Sequence, residues 1–185
     1  MKKLSVLTKE QASEQSRMIF ENIEKSIGML PNIYAVIGNS ANALSAFLNF
    51  SEAQKNTTFN SREREAIALA VSEVNGCNYC RSAHTHIAKM NGFSDEETLQ
   101  LRAGTIYNPK LNAVIKLAKS IVENRGKVDE DLTRKFFVAG YNEKDLVDLV
   151  AIVIEISFTN YIGRLAMPAI DFPLAKPLIT LEEAA

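Results

Sequence analysis

The sequence predicts an all-α fold, and three observations carry that expectation. Residues that open helices recur along the chain: Thr8, Ser40, Asn60, Ser94, Asn108 and Asn142 each precede a stretch of helical character. Within those stretches apolar side chains return every three or four residues, the spacing that gathers them on one helix face. No segment alternates apolar and polar residues between hairpin turns, as a half-buried strand would.

Each element has its own signals. Thr8-Lys9-Glu10-Gln11 reads as a capping box opening a helix that runs to Gly28. Pro31 ends any continuation. Ser40 caps a second long helix bearing Ala43, Leu44, Phe47, Leu48 and Phe50. Asn60 with Glu63 opens the next, whose apolar stripe is Ala66, Leu69, Ala70 and Val74, and Asn75-Gly76 breaks it. A helix from near Cys77 to Asn91 comes next, stopped by Gly92. Ser94-Asp95-Glu96-Glu97 is another capping box, for a short helix ending at Gly104. Asn108-Pro109 places proline in the first turn of a helix that carries Leu111, Val114, Ile115, Ala118 and Ile121 and stops at Gly126. Two more helices run from Asp129 to Ala139 and from Glu143 to about Arg164, separated by Gly140. Val150 to Phe158 is rich in β-branched residues, yet the Asn142-x-x-Asp145 cap and the long pattern behind it favour a buried helix. Only the tail, about residues 168–185 with Pro168, Pro173 and Pro177, reads as extended.

Composition narrows the class. The 185 residues fit a single domain spanning 1–185, without repeats, low-complexity tracts or linkers. Lys and Arg number 21 against 22 Asp and Glu, a net charge of −1, so no nucleic-acid partner is expected. No uninterrupted apolar run is longer than that from Leu149 to Ile154, far short of the ~18 residues of a membrane span. Met1-Lys2-Lys3-Leu4-Ser5 turns polar at Thr8-Lys9-Glu10 without a signal-peptide core. The expectation is a cytoplasmic protein with no membrane partner.

The chemistry concentrates in one stretch. The chain has two cysteines, paired as Cys77-Asn78-Tyr79-Cys80. A secreted disulfide scaffold would carry more, spread out, so the pair points to redox chemistry or part of a metal site. Cys77, Cys80 and His84 stand at i, i+3 and i+7 of one helix and share a face. Cys80 and His84 are one turn apart, with Cβ atoms about 5–6 Å from one another. An imidazole at that distance can take the thiol proton. The two cysteine Cα atoms fall roughly 5 Å apart, within disulfide range. The break at Asn75-Gly76 leaves both cysteines in the first turn, where unpaired N–H groups and the helix dipole favour a thiolate. The residues thus offer a nucleophile, a resolving thiol and a base. Three ligands could hold a catalytic zinc, but no second Cys or His cluster completes a closed structural site. His86 lies about 200° around the helix from His84, a surface or packing position. No flavin, haem, nucleotide or glycine-rich phosphate motif is present, so no bound cofactor and no metal are expected.

From Glu65 to His84 the chain reads Glu, eleven residues, Cys-x-x-Cys, three residues, His. This stretch resembles the signature of the alkylhydroperoxidase AhpD-like family of the carboxymuconolactone decarboxylase superfamily, in its peroxidase-related subgroup. Gly92 to Gly104 and Thr159-Asn160-Tyr161-Ile162 are similar to it as well. The resemblance covers about residues 30–172 and is densest over a redox core of about 61–104. It implies an all-helical domain with the Cys-x-x-Cys at the N-terminus of a central helix, assembled into trimers or hexamers. It implies that Cys80 is the peroxidatic thiol, Cys77 the resolving thiol, and His84 with Glu65 the proton relay. Glu65 read by itself is a solvated charge in the Arg62-Glu63-Arg64-Glu65 run. The best-studied members carry histidine immediately before the second cysteine, where this chain has Tyr79. A phenol can hydrogen-bond there but is no base near neutral pH.

The expected function is a thiol-dependent peroxidase or disulfide oxidoreductase acting on small hydroperoxides. An external dithiol, by the resemblance a lipoyl-bearing protein, would reset it. The alternatives are a redox-sensing or partner-binding module with little turnover, a metal-binding protein, and a carboxymuconolactone decarboxylase-type enzyme. The cysteine pair argues against the last. Pro31-Asn32-Ile33-Tyr34, Phe47 and the cysteine helix are the expected lining of a substrate pocket. Val147, Leu149, Val150, Ile152, Val153, Ile154, Ile156 and Phe158 leave the 143–164 helix apolar nearly all round, which predicts a homo-oligomer. The apolar tail is expected to wrap a neighbouring subunit.

Overall fold

A computed structural model describes residues 4–178. Among them are nine α-helices and no strand: α1 (Glu14–Ile27), α2 (Asn32–Ile37), α3 (Ala41–Gln54), α4 (Ser61–Val74), α5 (Asn78–Met90), α6 (Asp95–Ala103), α7 (Pro109–Glu123), α8 (Glu130–Val138) and α9 (Glu143–Ala166). The all-α class is the one the sequence predicts, and α2 is a helix beyond those it predicts. The caps fall where the side chains dictate. Asn60, Ser94 and Asn142 form full capping boxes with Glu63, Glu97 and Asp145. Ser40 caps α3, and Asn108 caps α7 with Pro109 in its first turn.

Two boundaries differ from the sequence reading. The first helix starts at Glu14, capped by Ser13, not at Thr8. Gln11 does reach back to the Thr8 N–H, but Thr8 makes only a single turn. Pro31, expected only to stop a helix, stands at the N-cap of the short α2. Proline tolerates that end because its missing N–H would have no partner there.

The centre of the molecule is α4. Seven consecutive residues, Ala66 to Ser72, are buried. Its alanines let α5, α6, α7 and α9 approach from different sides. The sequence reading gave α4 one apolar stripe, whereas seven consecutive positions of it are buried. It read α9 as apolar nearly all round, and a single chain covers only part of that surface. In α9, Leu149, Ile152, Val153 and Ile156 are buried, but Val147, Val150 and Ile154 are 69, 40 and 57% exposed. By length and composition α9 is also apolar enough to cross a membrane, which counting uninterrupted runs missed. Here it is the packing partner of α2, α3, α4, α5 and α7.

The apolar interior has three parts. Ile67, Leu117, Phe136 and Leu149 join α4, α7, α8 and α9. Leu69, Ala88, Leu101 and Ile115 join α4, α5, α6 and α7. The third part surrounds the cysteines with Phe20, Ile33, Leu44 and Tyr79.

Candidate functional site

The site begins at the corner between α4 and α5. Gly76 turns the chain with φ 67°, in the left-handed region that glycine enters without penalty. The Asn75 side-chain amide donates to Asn160 Oδ1 at 2.9 Å and to Ser157 Oγ at 3.2 Å. Asn160 in turn donates to Ser72 Oγ at 3.1 Å. All four side chains are buried. Each buried polar group so placed needs its partner, so the network fixes the corner onto α9.

Cys77 is the N-cap of α5, and the Cys80 N–H donates to its Sγ at 3.2 Å. The two cysteines are joined as a disulfide with Cα atoms 5.3 Å apart, close to the helix-geometry expectation. Both are nearly inaccessible, 1 and 3% exposed. Gly163 of α9 makes this burial possible. A methyl at that position would lie 2.8 Å from Cys77 Sγ and 3.5 Å from Cys80 Sγ. Only a missing side chain lets the α9 backbone close over the sulfurs.

His84, one turn beyond Cys80, is 2.9 Å from Glu65 Oε2 through its Nδ1. The pair is 17 and 16% exposed. Burial by itself lowers the histidine pKa, but the charge and hydrogen bond of Glu65, with a smaller pull from Glu155, overcome it and raise the value. Glu65 is therefore not a free surface charge. The fold brings Cys77, Cys80, His84 and Glu65 together from α4, α5 and their corner.

A cavity of about 430 Å³ opens beside Cys80 and His84. Its walls include Pro31, Ile33, Tyr34 and Phe47 from the expected segments. Asn32 is absent from the lining. Its backbone N–H donates to Asp171 Oδ2 at 2.7 Å and its side chain to the Ala169 carbonyl at 3.0 Å. These bonds tie down the segment after α9. That segment crosses its own subunit: Phe172 meets the Tyr79 ring edge-on at 5.8 Å and forms part of the cavity wall. The Ala175 N–H donates to Ser82 Oγ, and Arg102 donates to the Lys176 carbonyl. The tail to Leu178 thus straps its own subunit. Residues 179–185, the end of the expected tail, lie outside the described residues.

Tyr79 is 4% exposed, and its hydroxyl oxygen accepts from the Ile33 N–H at 3.4 Å. Burial and the nearby Asp171 carboxylate push its pKa further up, so the phenol stays protonated. It packs and hydrogen-bonds but does not replace a histidine as a base. His86 is exposed and rests against Phe172, 6.1 Å between ring centroids. Among the described residues no group of three or more His, Cys, Asp or Glu is placed to hold a metal.

The model of the carboxymuconolactone decarboxylase family matches residues 41–123, which include α4, the corner and α5. A relative from Bacillus subtilis (strain 168), the uncharacterized protein YdfG, is 30% identical over 112 residues, covering 59% of this chain and 76% of its own. The chain belongs to the carboxymuconolactone decarboxylase family. Within that family its fold is AhpD-like. An alkylhydroperoxidase AhpD core structure, an uncharacterized peroxidase-related protein from Ralstonia eutropha JMP134, superposes with a TM-score of 0.76 at 21% identity, covering 86% of this chain and 87% of that one. The debrominase Bmp8, solved with 2,3,4-tribromopyrrole, superposes with a TM-score of 0.76 at 21% identity, covering 91% of both chains.

Three residues of this family member escaped the sequence reading. Gly163 looked like an ordinary helix residue, Phe172 like part of a tail, and Glu155 like the polar flank of an apolar run. The first two sit far along the chain from the cysteines and leave no local signal. Glu155 left one, because a lone carboxylate inside an apolar helix is costly unless it has a use.

Proposed function

We propose that this protein is a thiol-dependent peroxidase with a disulfide cycle, acting on organic hydroperoxides. What carries the reading is the placement of Cys80 in an apolar cavity, one helical turn from a histidine hydrogen-bonded to a half-buried glutamate. In the reduced protein the Cys80 proton passes to His84, whose positive charge Glu65 stabilises. The thiolate sulfur attacks the terminal peroxide oxygen. The S–O bond forms, the O–O bond breaks, and its electron pair leaves on the alkoxide, which is protonated to an alcohol. Cys80 is then a sulfenic acid. The Cys77 thiol displaces water from it and closes the disulfide. An external dithiol, by the family resemblance a lipoyl group on a partner protein, reduces that disulfide and completes the cycle.

The apolar walls, with Tyr34, Phe47, Tyr79 and Phe172 among them, favour an organic body on the peroxide over hydrogen peroxide. Consumption of several hydroperoxides with dihydrolipoamide as reductant tests the reading. Turnover of the organic peroxides that disappears in Cys80→Ser supports it. No turnover with any of them, while the disulfide still forms and is still reduced, would leave a redox-sensing module in its place.

A further inference from the structure

The cavity holds an acidic group that this cycle does not use. Glu155 lies on α9, on the same stripe as Thr159 and Gly163 at intervals of four, and both Glu155 and Thr159 line the cavity. Gly163 touches the disulfide, so Glu155 stands two turns away, about 12 Å along the helix. It lines the same cavity as His84, which is itself one turn beyond Cys80 on α5. Helix α9 packs against both α4 and α5, and the three side chains come one from each helix. We propose that Glu155 is a second positioning carboxylate of the relay, holding the imidazolium form of His84 from the α9 side as Glu65 holds it from the α4 side. The inference rests on the reading of Cys80 as the thiol that ionises.

The surroundings of Glu155 fit this role. Burial pushes its pKa up, while the nearby Ser51 hydroxyl of α3 and the charges of His84 and Arg64 pull it down, and Glu65 pushes it up again. Burial prevails, so Glu155 ionises above the ordinary carboxylate range. Tyr34 of α2 also faces it, and its phenol is raised by burial first and by Glu155 second. An ionised Glu155 acts on two charges of opposite sign, His84 and the Cys80 thiolate. Coulomb energy falls with separation. Glu155 and His84 act on each other's charge, whereas the residue of α9 beside Cys80 Sγ is Gly163, two turns away, so attraction to the imidazolium is expected to outweigh repulsion of the thiolate. The net effect is to favour the thiolate–imidazolium pair as Glu155 loses its proton.

Thiolate absorbance of the reduced protein against pH tests this without any peroxide. Glu155→Gln keeps the shape but never ionises. It should raise the Cys80 titration midpoint by about one pH unit, a tenfold loss of thiolate on the acid side of the midpoint. Single-turnover consumption of cumene hydroperoxide should fall in proportion. Glu155→Asp keeps a displaced carboxylate and should shift the midpoint in the same direction by less. A Glu155→Gln curve superimposed on the wild type overturns the proposal. So does an equal shift in the two variants, because packing and not charge would then be the cause. If the wild type consumes no hydroperoxide while the midpoint still shifts, the peroxidase reading falls and the role of Glu155 stands.

Discussion

At the scale of single residues, the division of labour between the thiols is the first thing to measure. Cys80 reaches the cavity wall, whereas Cys77 caps the helix and lies under Gly163. Cys80→Ser should abolish peroxide consumption. Cys77→Ser should allow one oxidation and stop at a sulfenic acid, which a trapping reagent would label on Cys80. A label on Cys77 in the reciprocal variant, and none on Cys80, would reverse the roles. The His84–Glu65 pair makes a separate prediction about stability. Glu65 raises the histidine pKa in the folded chain, so folding binds that proton more tightly than the unfolded chain does. The stabilisation is complete below the ordinary histidine value of ~6.5 and fades as pH rises through the raised one. Glu65→Gln should therefore lower Tm most near pH ~6, by on the order of 1 kcal/mol or roughly 2–4 °C. The gap should narrow on the alkaline side. A gap that is constant with pH would remove the ion pair from the account.

At the scale of elements, the fit of α9 against the cysteine corner is the tightest contact in the site. Gly163→Ala puts a methyl 2.8 Å from Cys77 Sγ, so the sulfur or the helix must shift. The expected cost is about 1–3 kcal/mol, read as a drop in Tm of the oxidised protein. An unchanged Tm would mean that the corner yields freely. The strap after α9 makes the opposite kind of prediction. Its bonds run to Asn32, Ser82, Arg102 and Asp95 of its own subunit. Truncation before Pro168 should lower Tm and speed alkylation of the reduced cysteines, yet leave the assembly mass ratio unchanged. Loss of assembly would show that the tail also holds a neighbouring subunit. The helices themselves were legible in the sequence because caps such as Asn60–Glu63 and Ser94–Glu97 act within four residues. The Cys80–His84 juxtaposition was legible for the same reason. Glu65 needed the helix break to fold α4 back, and the family signature pointed to it. Gly163 and Phe172 were not legible as site residues, since their roles depend on how α9 and the strap cross α5, whereas Glu155 left the trace of a carboxylate at the end of an apolar run. Thr8 misled because its capping contact is real but has no apolar face behind it to continue a helix.

At the scale of the whole molecule, one apolar surface is left without a partner among the described residues. The outward face of α9 exposes Val147, Val150, Ile154, Tyr161 and Leu165, and only 39% of the helix's most apolar window is buried. Beside it, Ala43, Ala46 and Phe50 of α3 and Phe158 of α9 border a shallow apolar depression with Ile154. Apolar residues scattered singly on a surface are normal, but a continuous face along a 24-residue helix is not what a monomer ordinarily shows water. The described part of the chain does not cover it, because α4 occupies the centre and α9 the periphery. A second copy of the chain is the simplest cover, and the family resemblance points to trimers or hexamers. Light scattering at micromolar concentration should give a mass that is a multiple of 20.5 kDa. Ile154→Lys places a charge in the middle of the face while leaving the buried side of α9 untouched, so it should dissociate the assembly and keep the helical content. A wild type that already runs near 20.5 kDa would defeat the prediction, since the α9 face would then be exposed to water in the native state.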